Sequence, residues 1–207
     1  MVSRNALISV TLIAALGVIL VLGYFSGRTF RDPARAVAIE GMTVLEPAAS
    51  LPEFRLQDQN NQVFDLARLQ GKWSFVFFGY THCPDICPTT LVVLRDVQKI
   101  AGGLDRNIQY VFISVDPERD KAATLKNYVS YFHAEFIGAT GGQGELMRLT
   151  RALGAYYESG EAQNGNYEVH HSAAIFLIDP EARLHALFAG PHDAAHLAQG
   201  LQRLKGD

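Results

Sequence analysis

Residues 73–88 govern the architecture that this chain can adopt: Trp73-Ser74-Phe75-Val76-Phe77-Phe78-Gly79-Tyr80-Thr81-His82-Cys83-Pro84-Asp85-Ile86-Cys87-Pro88. The first six residues form a continuous apolar and aromatic run, which is typical of a strand buried on both faces of a sheet. The segment after this run carries two cysteines. Apolar residues then recur at helical spacing through Leu91, Val92, Leu94, Val97 and Ile100. The stretch therefore predicts a buried strand, a cysteine-bearing loop and an amphipathic helix.

Further strands and helices precede and follow this unit. Residues 54–56 and 63–65 flank a polar turn and predict a small hairpin that leads into the domain. Downstream we expect strands at 110–115, 136–139, 173–178 and 183–188, and helices at 121–132, 145–153 and 194–204. Strands that alternate with helices imply a parallel sheet with helices on its faces. Because the cysteines lie on the loop from the first central strand into a helix, we expect an α/β protein with a thioredoxin-like fold and an N-terminal hairpin.

The first part of the chain differs from the remainder. From Ala6 to Phe25, twenty residues carry no charge, and most are Leu, Ile, Val or Ala. At about 1.5 Å of rise per residue, such a helix spans roughly 30 Å, the thickness of the hydrocarbon core of a bilayer. The run is longer than the apolar part of a signal peptide, and no small-x-small cleavage site follows it. We therefore expect one uncleaved transmembrane helix in residues 1–27, a tether at 28–49 and a single domain at 50–207.

Charge and cysteine content exclude several classes of function. The formal net charge of the 207 residues is −3 and no basic cluster is present, so nucleic acid is not an expected partner. Two cysteines cannot build a disulfide framework. A disulfide between them would close so small a loop that it would contribute only about 2 kcal/mol in the chain-entropy model. A chemical role therefore explains the pair better than a structural one.

The cysteine spacing suits metal binding or redox chemistry. The predicted strand delivers Cys83 to the N-terminal end of the following helix, where unpaired N–H groups and the helix dipole lower the pKa of a thiol. Cys87 follows four residues later, one helical turn on, so both sulfurs should face the same side. The Cα atoms of residues i and i+4 are about 6 Å apart, which is within the range of a disulfide. The reduced pair could bind a metal, and the oxidised pair could form a disulfide.

A histidine is the third candidate group. An ordinary thioredoxin-like oxidoreductase places a cis-proline against its cysteines, just before a late strand of the sheet. The corresponding segment here, residues 167–172, contains no proline and contains His170 and His171 instead. A histidine at this position presents an imidazole to the two thiolates. Two soft sulfurs and one nitrogen suit copper or zinc and suit no hard cation.

Three blocks of the sequence resemble the Sco/SenC family, which is named for synthesis of cytochrome c oxidase. The blocks are Thr81-His82-Cys83-Pro84-Asp85-Ile86-Cys87-Pro88, Ile113-Ser114-Val115-Asp116-Pro117-Glu118-Arg119-Asp120 and Val169-His170-His171-Ser172. They occur in the family's order, and the likeness extends from about Leu51 to Leu204 and includes an N-terminal anchor. The resemblance implies a copper-binding domain whose metal ligands are Cys83, Cys87 and His171.

One position departs from the family pattern. The family usually has Asp before the ligand histidine, where this chain has His170. If the Asp orients the imidazole or tunes recognition of a partner, this chain lacks that carboxylate. We assign the ligand to His171 because His171 aligns with the Ser172 side of the block.

The resemblance implies a copper chaperone, rather than an enzyme, that helps to mature the dinuclear copper centre of cytochrome c oxidase. The implied partners are the copper site of oxidase subunit II and a copper donor protein. The alternative is a thiol–disulfide reductase that keeps the cysteines of the oxidase copper site reduced, with Cys83 and Cys87 as its redox pair.

The expected location is the inner membrane, with a single span and the C-terminal domain on the periplasmic, extracytoplasmic side. A copper site in the reducing cytosol could not meet an extracytoplasmic oxidase centre. The flanking arginines, one before the apolar run and three after it, mildly oppose this orientation. The expectation therefore rests on the chemistry of the site.

The other histidines have simpler interpretations. His82 adjoins Cys83 and is expected to tune that cysteine without binding metal. His192 and His196 have i, i+4 spacing, but their predicted helix carries no other ligand type. We therefore expect these two side chains on a solvated helix face.

Overall fold

The computed structural model describes residues 17, 35–39, 41–101, 107–160 and 167–206. The described strands are β1 (Arg35–Ile39), β2 (Met42–Ser50), β3 (Leu56–Asp58), β4 (Val63–Phe64), β5 (Trp73–Gly79), β6 (Ile108–Ser114), β7 (Ile137–Thr140), β8 (Tyr157–Ser159), β9 (Val169–His171), β10 (Ile175–Ile178) and β11 (Arg183–Phe188). The described helices are α1 (Leu66–Leu69), α2 (Ile86–Ile100), α3 (Ala122–Phe132), α4 (Gln143–Leu153) and α5 (Ala194–Gly206). The elements predicted between residues 54 and 204 are all present within a few residues of their expected bounds.

Nine of these strands form one sheet in the order β1-β2-β11-β10-β5-β6-β7-β3-β4. Strands β5, β6 and β7 are parallel, with Phe77 opposite Phe112 and Ile113 opposite Ala139. The other neighbouring pairs in the described sheet are antiparallel. The expected parallel sheet is therefore a mixed sheet, because only the strands joined through helices run parallel and the hairpins add antiparallel strands on both sides.

Strand β5 lies near the middle of this sheet, and all seven of its residues are buried. Its alternate side chains point to opposite faces. On one face Phe77 contacts Phe112, and on the other Phe78 contacts Phe176 edge to face. The carboxyl end of β5, from which the cysteine segment departs, is thus held by the core on both sides.

Helix α2 fixes the other end of the cysteine segment. Its buried residues are Cys87, Thr90, Leu91, Leu94 and Val97. Their spacing of three and four residues places them along one face, and the helix packs against α5. Ile100 is 51 % exposed at the end of the helix, although the apolar pattern included it.

The N-terminal boundary of the domain differs from the expected one. The sequence predicts a tether at 28–49, but β1 and β2 form a hairpin there, and β2 pairs with β11. Met42 and Val44 are 3 % and 1 % exposed, so they belong to the core, and the compact unit begins at Ala34. The prediction is wrong from this residue onward because only Met42 and Val44 alternate clearly, and Pro47 then interrupts the pattern.

The predicted membrane anchor, residues 6–25, falls outside the described residues apart from Gly17. Within the part of the chain that the structure describes, no helix has both the length and the apolar character that crossing a membrane requires. The anchor therefore stays a prediction.

Candidate metal centre

The two cysteines lie where β5 leads into α2. Helix α2 begins at Ile86, so Cys87 is in its first turn whereas Cys83 precedes it. The expectation that Cys83 lies at the N-terminal end of the helix, with Cys87 one helical turn further on, is therefore wrong for Cys83. Pro84 provides the physical reason, because a residue that precedes proline is disfavoured in the helical conformation. A turn in which the Cys83 N–H donates to the Tyr80 carbonyl oxygen, at 3.2 Å, directs the chain back towards the helix.

His171 completes a group of three potential metal ligands. The two sulfurs and a ring nitrogen of His171 all lie within 4.8 Å of one another. His171 Nε2 is 3.3 Å from Cys87 Sγ, and His171 Nδ1 is 3.1 Å from the Ser172 carbonyl oxygen. A carbonyl oxygen can only accept a hydrogen bond, so this contact favours the tautomer with the proton on Nδ1. The lone pair of Nε2 then faces the sulfurs.

His171 is carried by the β8–β9 hairpin, which is separate from the main sheet. Tyr157 pairs with His171, and Glu158 pairs with His170. Since successive residues of a strand point in opposite directions, His171 is half-buried beside Cys87 whereas His170 is exposed. His171, and not its neighbour, belongs to the group.

Gly79 provides the space that the Cys87 sulfur occupies. A Cβ atom built on Gly79 would lie 2.6 Å from Cys87 Sγ and 2.7 Å from a ring carbon of Phe112. Both distances are shorter than van der Waals contact. The last residue of β5 must therefore lack a side chain for the sulfur to reach its place.

The pKa values of the two thiols are shifted in opposite directions. The pKa of Cys83 is lowered to about 4, chiefly because the Cys87 thiol donates a hydrogen bond to it, and backbone N–H groups of Asp85 and Cys87 act in the same direction against burial. The pKa of Cys87 is raised by that same hydrogen bond and by burial. The hydrogen bond between the two thiols therefore favours ionisation of Cys83 and opposes ionisation of Cys87.

Asp120 ties the cysteine loop to the loop that follows β6. It is fully buried, with 0 % exposure. Its carboxylate accepts hydrogen bonds from the Thr81 N–H at 2.8 Å, the Thr81 hydroxyl at 2.6 Å and the Ser114 hydroxyl at 2.6 Å. Hydrogen bonds to an ionised acceptor are stronger than those between neutral groups. Asp120 therefore fixes the backbone two residues before Cys83.

His82, His192 and His196 lie outside the group of ligands. The His82 side chain is 55 % exposed and contacts Thr81 Oγ1 at 3.1 Å through Nδ1. His192 Nε2 donates to the Ala173 carbonyl oxygen at 2.6 Å, and burial lowers the pKa of this histidine. His196 packs edge-on against Phe188. The expectation of a solvated face for His192 and His196 is therefore wrong, because both are half-buried and His192 precedes α5.

The donor set determines which ions the group could hold. Two thiolates and one imidazole favour copper or zinc and disfavour magnesium or calcium. Three converging donors also leave a coordination position for a further ligand, as in sites where metal is exchanged or reacts. The geometry thus fits a soft, exchangeable metal ion.

Residues 43–206 match the family described as SCO1/SenC. The chain belongs to the SCO1/SenC family. This result confirms the resemblance carried by the three sequence blocks. Among SCO1/SenC proteins, the mitochondrial SCO1 homolog 1 of Arabidopsis thaliana is 36 % identical over 163 residues, which cover 78 % of this chain and 48 % of that protein. The chain therefore spans about half the length of that relative.

Solved SCO1/SenC structures share the fold of this chain. The copper-bound ScoI of Arabidopsis thaliana has a TM-score of 0.71 and 33 % identity, and the match covers 77 % of this chain and 100 % of that one. The copper-bound ScoI of Bradyrhizobium japonicum has a TM-score of 0.68 and 36 % identity, with 75 % and 99 % covered. The α/β, thioredoxin-like Sco fold is thus confirmed.

Sequence reasoning missed two residues that shape this SCO1/SenC site. Gly79 ends an apolar run and looked like an ordinary strand terminus. Asp120 belongs to the second block of the family resemblance, but nothing in the linear sequence showed that it faces Thr81. Both act through contacts that only the assembled sheet creates.

Proposed function

We propose that this chain binds one copper ion through Cys83, Cys87 and His171 and delivers it to the dinuclear copper centre of cytochrome c oxidase. The observation that carries the proposal is the convergence of two sulfurs and an imidazole nitrogen within 4.8 Å. Relatives of similar fold with copper bound support the choice of copper over zinc. Copper is here the cargo of the protein, held by soft donors that can be exchanged.

The three ligands differ in accessibility, which suits transfer of an ion. Cys87 is 0 % exposed and Cys83 is 9 % exposed, while His171 is half-buried. An incoming ion would bind first to Cys83, because the lowered pKa of this residue favours the thiolate that binds metal. Coordination by Cys87 then requires release of its proton. The more accessible sulfur would also be the one that a receiving thiolate can displace.

The proposed partners are the copper site of oxidase subunit II and a copper donor protein. We further propose that the chain is anchored in the inner membrane by residues 6–25 and that its domain faces the extracytoplasmic side. This location is supported by the chemistry, because a delivered ion must reach an extracytoplasmic centre. A reporter fused after Asp207 that is active only in the cytoplasm would contradict it.

Copper titration of the reduced full-length protein tests the ligand set. Without oxygen, in competition with a chromophoric Cu(I) chelator, the parent should bind about one Cu(I) per chain. Cys83→Ser, Cys87→Ser and His171→Ala should each weaken binding, the thiolates more than the imidazole because Cu(I) prefers sulfur. His170→Ala is the matched control and should bind like the parent. Loss of binding in His170→Ala with normal binding in His171→Ala would overturn the assignment.

A second candidate function, thiol–disulfide reduction, is favoured by the close approach of the two sulfurs, which lie within 4.8 Å of each other. The pKa of Cys83 is lowered to about 4, and a second thiol lies beside it. The Cys83 thiolate could attack a substrate disulfide, forming a mixed disulfide and releasing one substrate thiolate. Attack by Cys87 would then release the second substrate thiol and leave a Cys83–Cys87 disulfide. The substrate gains the two electrons that the cysteine pair loses.

The two functions differ in their need for His171. A carrier needs the third donor, so oxidase deficiency in a His171→Ala strain should approach that of a Cys83→Ser strain. Added copper should partly restore the oxidase in a strain that lacks the protein. Full oxidase activity in the His171→Ala strain, together with failure of both cysteine variants and no rescue by copper, would favour the reductase.

A further inference from the structure

The segment that carries His171 is a separate arm of the structure. Among the described strands, β8 and β9 pair only with each other, while both cysteines belong to the junction of the main sheet and α2. The distance from His171 to the sulfurs therefore depends on contacts that hold this arm against the body of the domain. These contacts lie on both sides of His171 along the chain.

On the C-terminal side, the backbone after His171 is held by His192. Its Nε2 donates to the Ala173 carbonyl oxygen at 2.6 Å. In addition, Tyr156 N–H donates to the Ser172 hydroxyl at 2.8 Å, which ties the outgoing strand to the start of the hairpin. These contacts hold the base of the hairpin but not the segment that leads into β9.

On the N-terminal side, Tyr167 contacts two residues of the loop after β6. Its hydroxyl donates to Asp116 Oδ1 at 2.6 Å. The guanidinium carbon of Arg119 lies 3.7 Å from the centre of the Tyr167 ring, which is close for a cation–π contact. Arg119 Nε donates to the other carboxylate oxygen of Asp116. The three side chains thus form a closed set of contacts, and the Asp116 side chain within it is 2 % exposed.

The same guanidinium also reaches the rings around the metal group. Arg119 lies 5.6 Å from the ring centre of Tyr80, and Tyr80 packs edge-on against His171 with ring centres 5.9 Å apart. Arg119 Nη2 is buried and finds no hydrogen-bond acceptor among the described residues. The planar face of Arg119 therefore links the arm, through Tyr167, with the ring that borders the ligand histidine.

We propose that Asp116, Arg119 and Tyr167 act as a clamp that holds the β8–β9 arm so that His171 meets the two cysteines. Arg119 and Tyr167 are positioning residues, since neither contacts the metal group directly. The role of the clamp in positioning a copper ligand rests on the proposed function. The contacts that form the clamp are present in the metal-free chain. Arginine suits this role because its flat, charged group can stack on one side chain while it donates to another.

Hydrogen exchange of the reduced, metal-free, full-length protein tests the clamp without copper. Arg119→Met removes the charge and the stacking, so we expect amide exchange across 167–171 to accelerate at least about tenfold while β5 and β6 keep the parent rate. Tyr167→Phe keeps the stacked ring and loses only the hydroxyl, so its effect should be intermediate. Arg148→Met, which removes an exposed arginine paired with Glu145 on α4, is the matched control and should leave 167–171 unchanged.

Copper(II) loading of the same variants provides the second readout. The parent should show sulfur-to-copper charge-transfer absorption and nitrogen hyperfine coupling in its paramagnetic resonance spectrum. Arg119→Met should keep the sulfur absorption but lose or broaden the nitrogen coupling, because His171 is no longer held in place. A merely structural role would weaken both signals together.

The outcomes separate the two proposals. If Arg119→Met leaves exchange across 167–171 at the parent rate, or accelerates all strands equally, the clamp is wrong. If the parent binds no copper, the proposed function fails, and the exchange measurement still decides on the clamp. Faster exchange confined to 167–171 with intact nitrogen coupling would also overturn the proposal, since the arm would then not position His171.

Discussion

At Gly79 the backbone of β5 approaches the Cys87 sulfur so closely that a methyl group would collide with it. We expect Gly79→Ala to destabilise the domain by roughly 1–3 kcal/mol, the usual cost of overpacking a core. The substitution should also weaken Cu(I) binding, because the sulfur must move away from Cys83 and His171. Urea unfolding and Cu(I) competition titration measure the two effects.

Gly142→Ala serves as the control for this substitution. A Cβ at Gly142 meets nothing within 4 Å, and its φ of −63° suits any residue. This variant should match the parent in both measurements. Equal behaviour of the two variants would show that Gly79 is not needed for close packing of the sulfur.

The lowered pKa of Cys83 leads to a pH-dependent stability. The folded-state pKa of Cys83, about 4, lies below the value of about 8.5 for an unfolded thiol. The unfolded chain therefore binds more protons between these values, and the free energy of unfolding should fall as pH decreases from about 8.5 towards 4. Cys83→Ala should remove this part of the pH dependence, measured by urea unfolding of the reduced, metal-free protein.

Direct titration of the thiolate provides an independent check. Ultraviolet absorbance should show one thiol of the folded protein ionising near pH 4. In Cys87→Ala the pKa of Cys83 should rise, because the principal hydrogen-bond donor is gone. A pKa of Cys83 near 8.5 in the parent would contradict the arrangement of the pair.

The cysteine loop depends on Asp120, which connects it to the loop after β6. Asp120→Ala would leave the Thr81 N–H, the Thr81 hydroxyl and the Ser114 hydroxyl without their acceptor, so we expect a loss on the order of 3 kcal/mol in the free energy of unfolding. Asp120→Asn should cost less, because the Thr81 hydroxyl can turn to accept from the amide. Urea unfolding measures both.

Asp96 on α2 offers the matched control for this carboxylate. Its side chain is 40 % exposed and pairs with Lys99 and Arg95, so Asp96→Ala should have little effect on stability. A similar loss in Asp120→Ala and Asp96→Ala would mean that the buried carboxylate does not hold the loop.

Sequence patterns predicted the helices and strands whose residues show a regular pattern of burial. The apolar run of β5 indicated burial on both faces, and the apolar stretches at 173–178 and 183–188 indicated β10 and β11. The β8–β9 hairpin was missed because its three-residue strands are too short to show a period. Strand β2 was missed because its residues show a mixed pattern of exposure and Pro47 interrupts their alternation. Short and half-exposed strands acquire their conformation from neighbours that are distant in sequence.

The two cysteines could be found from the sequence because they are the chain's only cysteines and lie where a predicted strand leads into a helix, and the resemblance to the Sco/SenC family implied His171 as the third ligand. The residues that hold these ligands in place could not be found from the sequence. Gly79 and Tyr167 are ordinary residues in the linear pattern, and Arg119 stands out only as part of the second block. The roles of all three arise from contacts across the fold. The helical placement of Cys83 was wrong because the effect of Pro84 on the preceding residue outweighed the spacing argument.

For the domain as a whole, the hairpin of β1 and β2 is part of the stable unit. A fragment that begins at residue 34 should unfold in one cooperative transition, whereas one that begins at residue 51 should be less stable by roughly 3–6 kcal/mol. The estimate takes about 1.5–3 kcal/mol for each buried side chain of Met42 and Val44. The shorter fragment should also associate with itself, since the edge of β11 is uncovered.

A fragment that begins at residue 41 separates the two strands of the hairpin. It lacks β1 and keeps β2, so its stability should lie close to that of the longer fragment. Urea unfolding and light scattering compare the three. Equal stability of the fragments that begin at residues 34 and 51 would show that the hairpin does not stabilise the domain, in agreement with the tether predicted from the sequence.

The pairing of β2 with β11 sets an order of events during biosynthesis. Met42 lies opposite Phe188, so β2 can pair with β11 only after this much later segment has left the ribosome. Ribosomes add about 5–20 residues per second, so this wait lasts several seconds or more. Sheets closed by such distant segments also fold slowly. The two cysteines are therefore synthesised well before His171, and binding of copper by all three donors would follow the emergence of His171 from the ribosome.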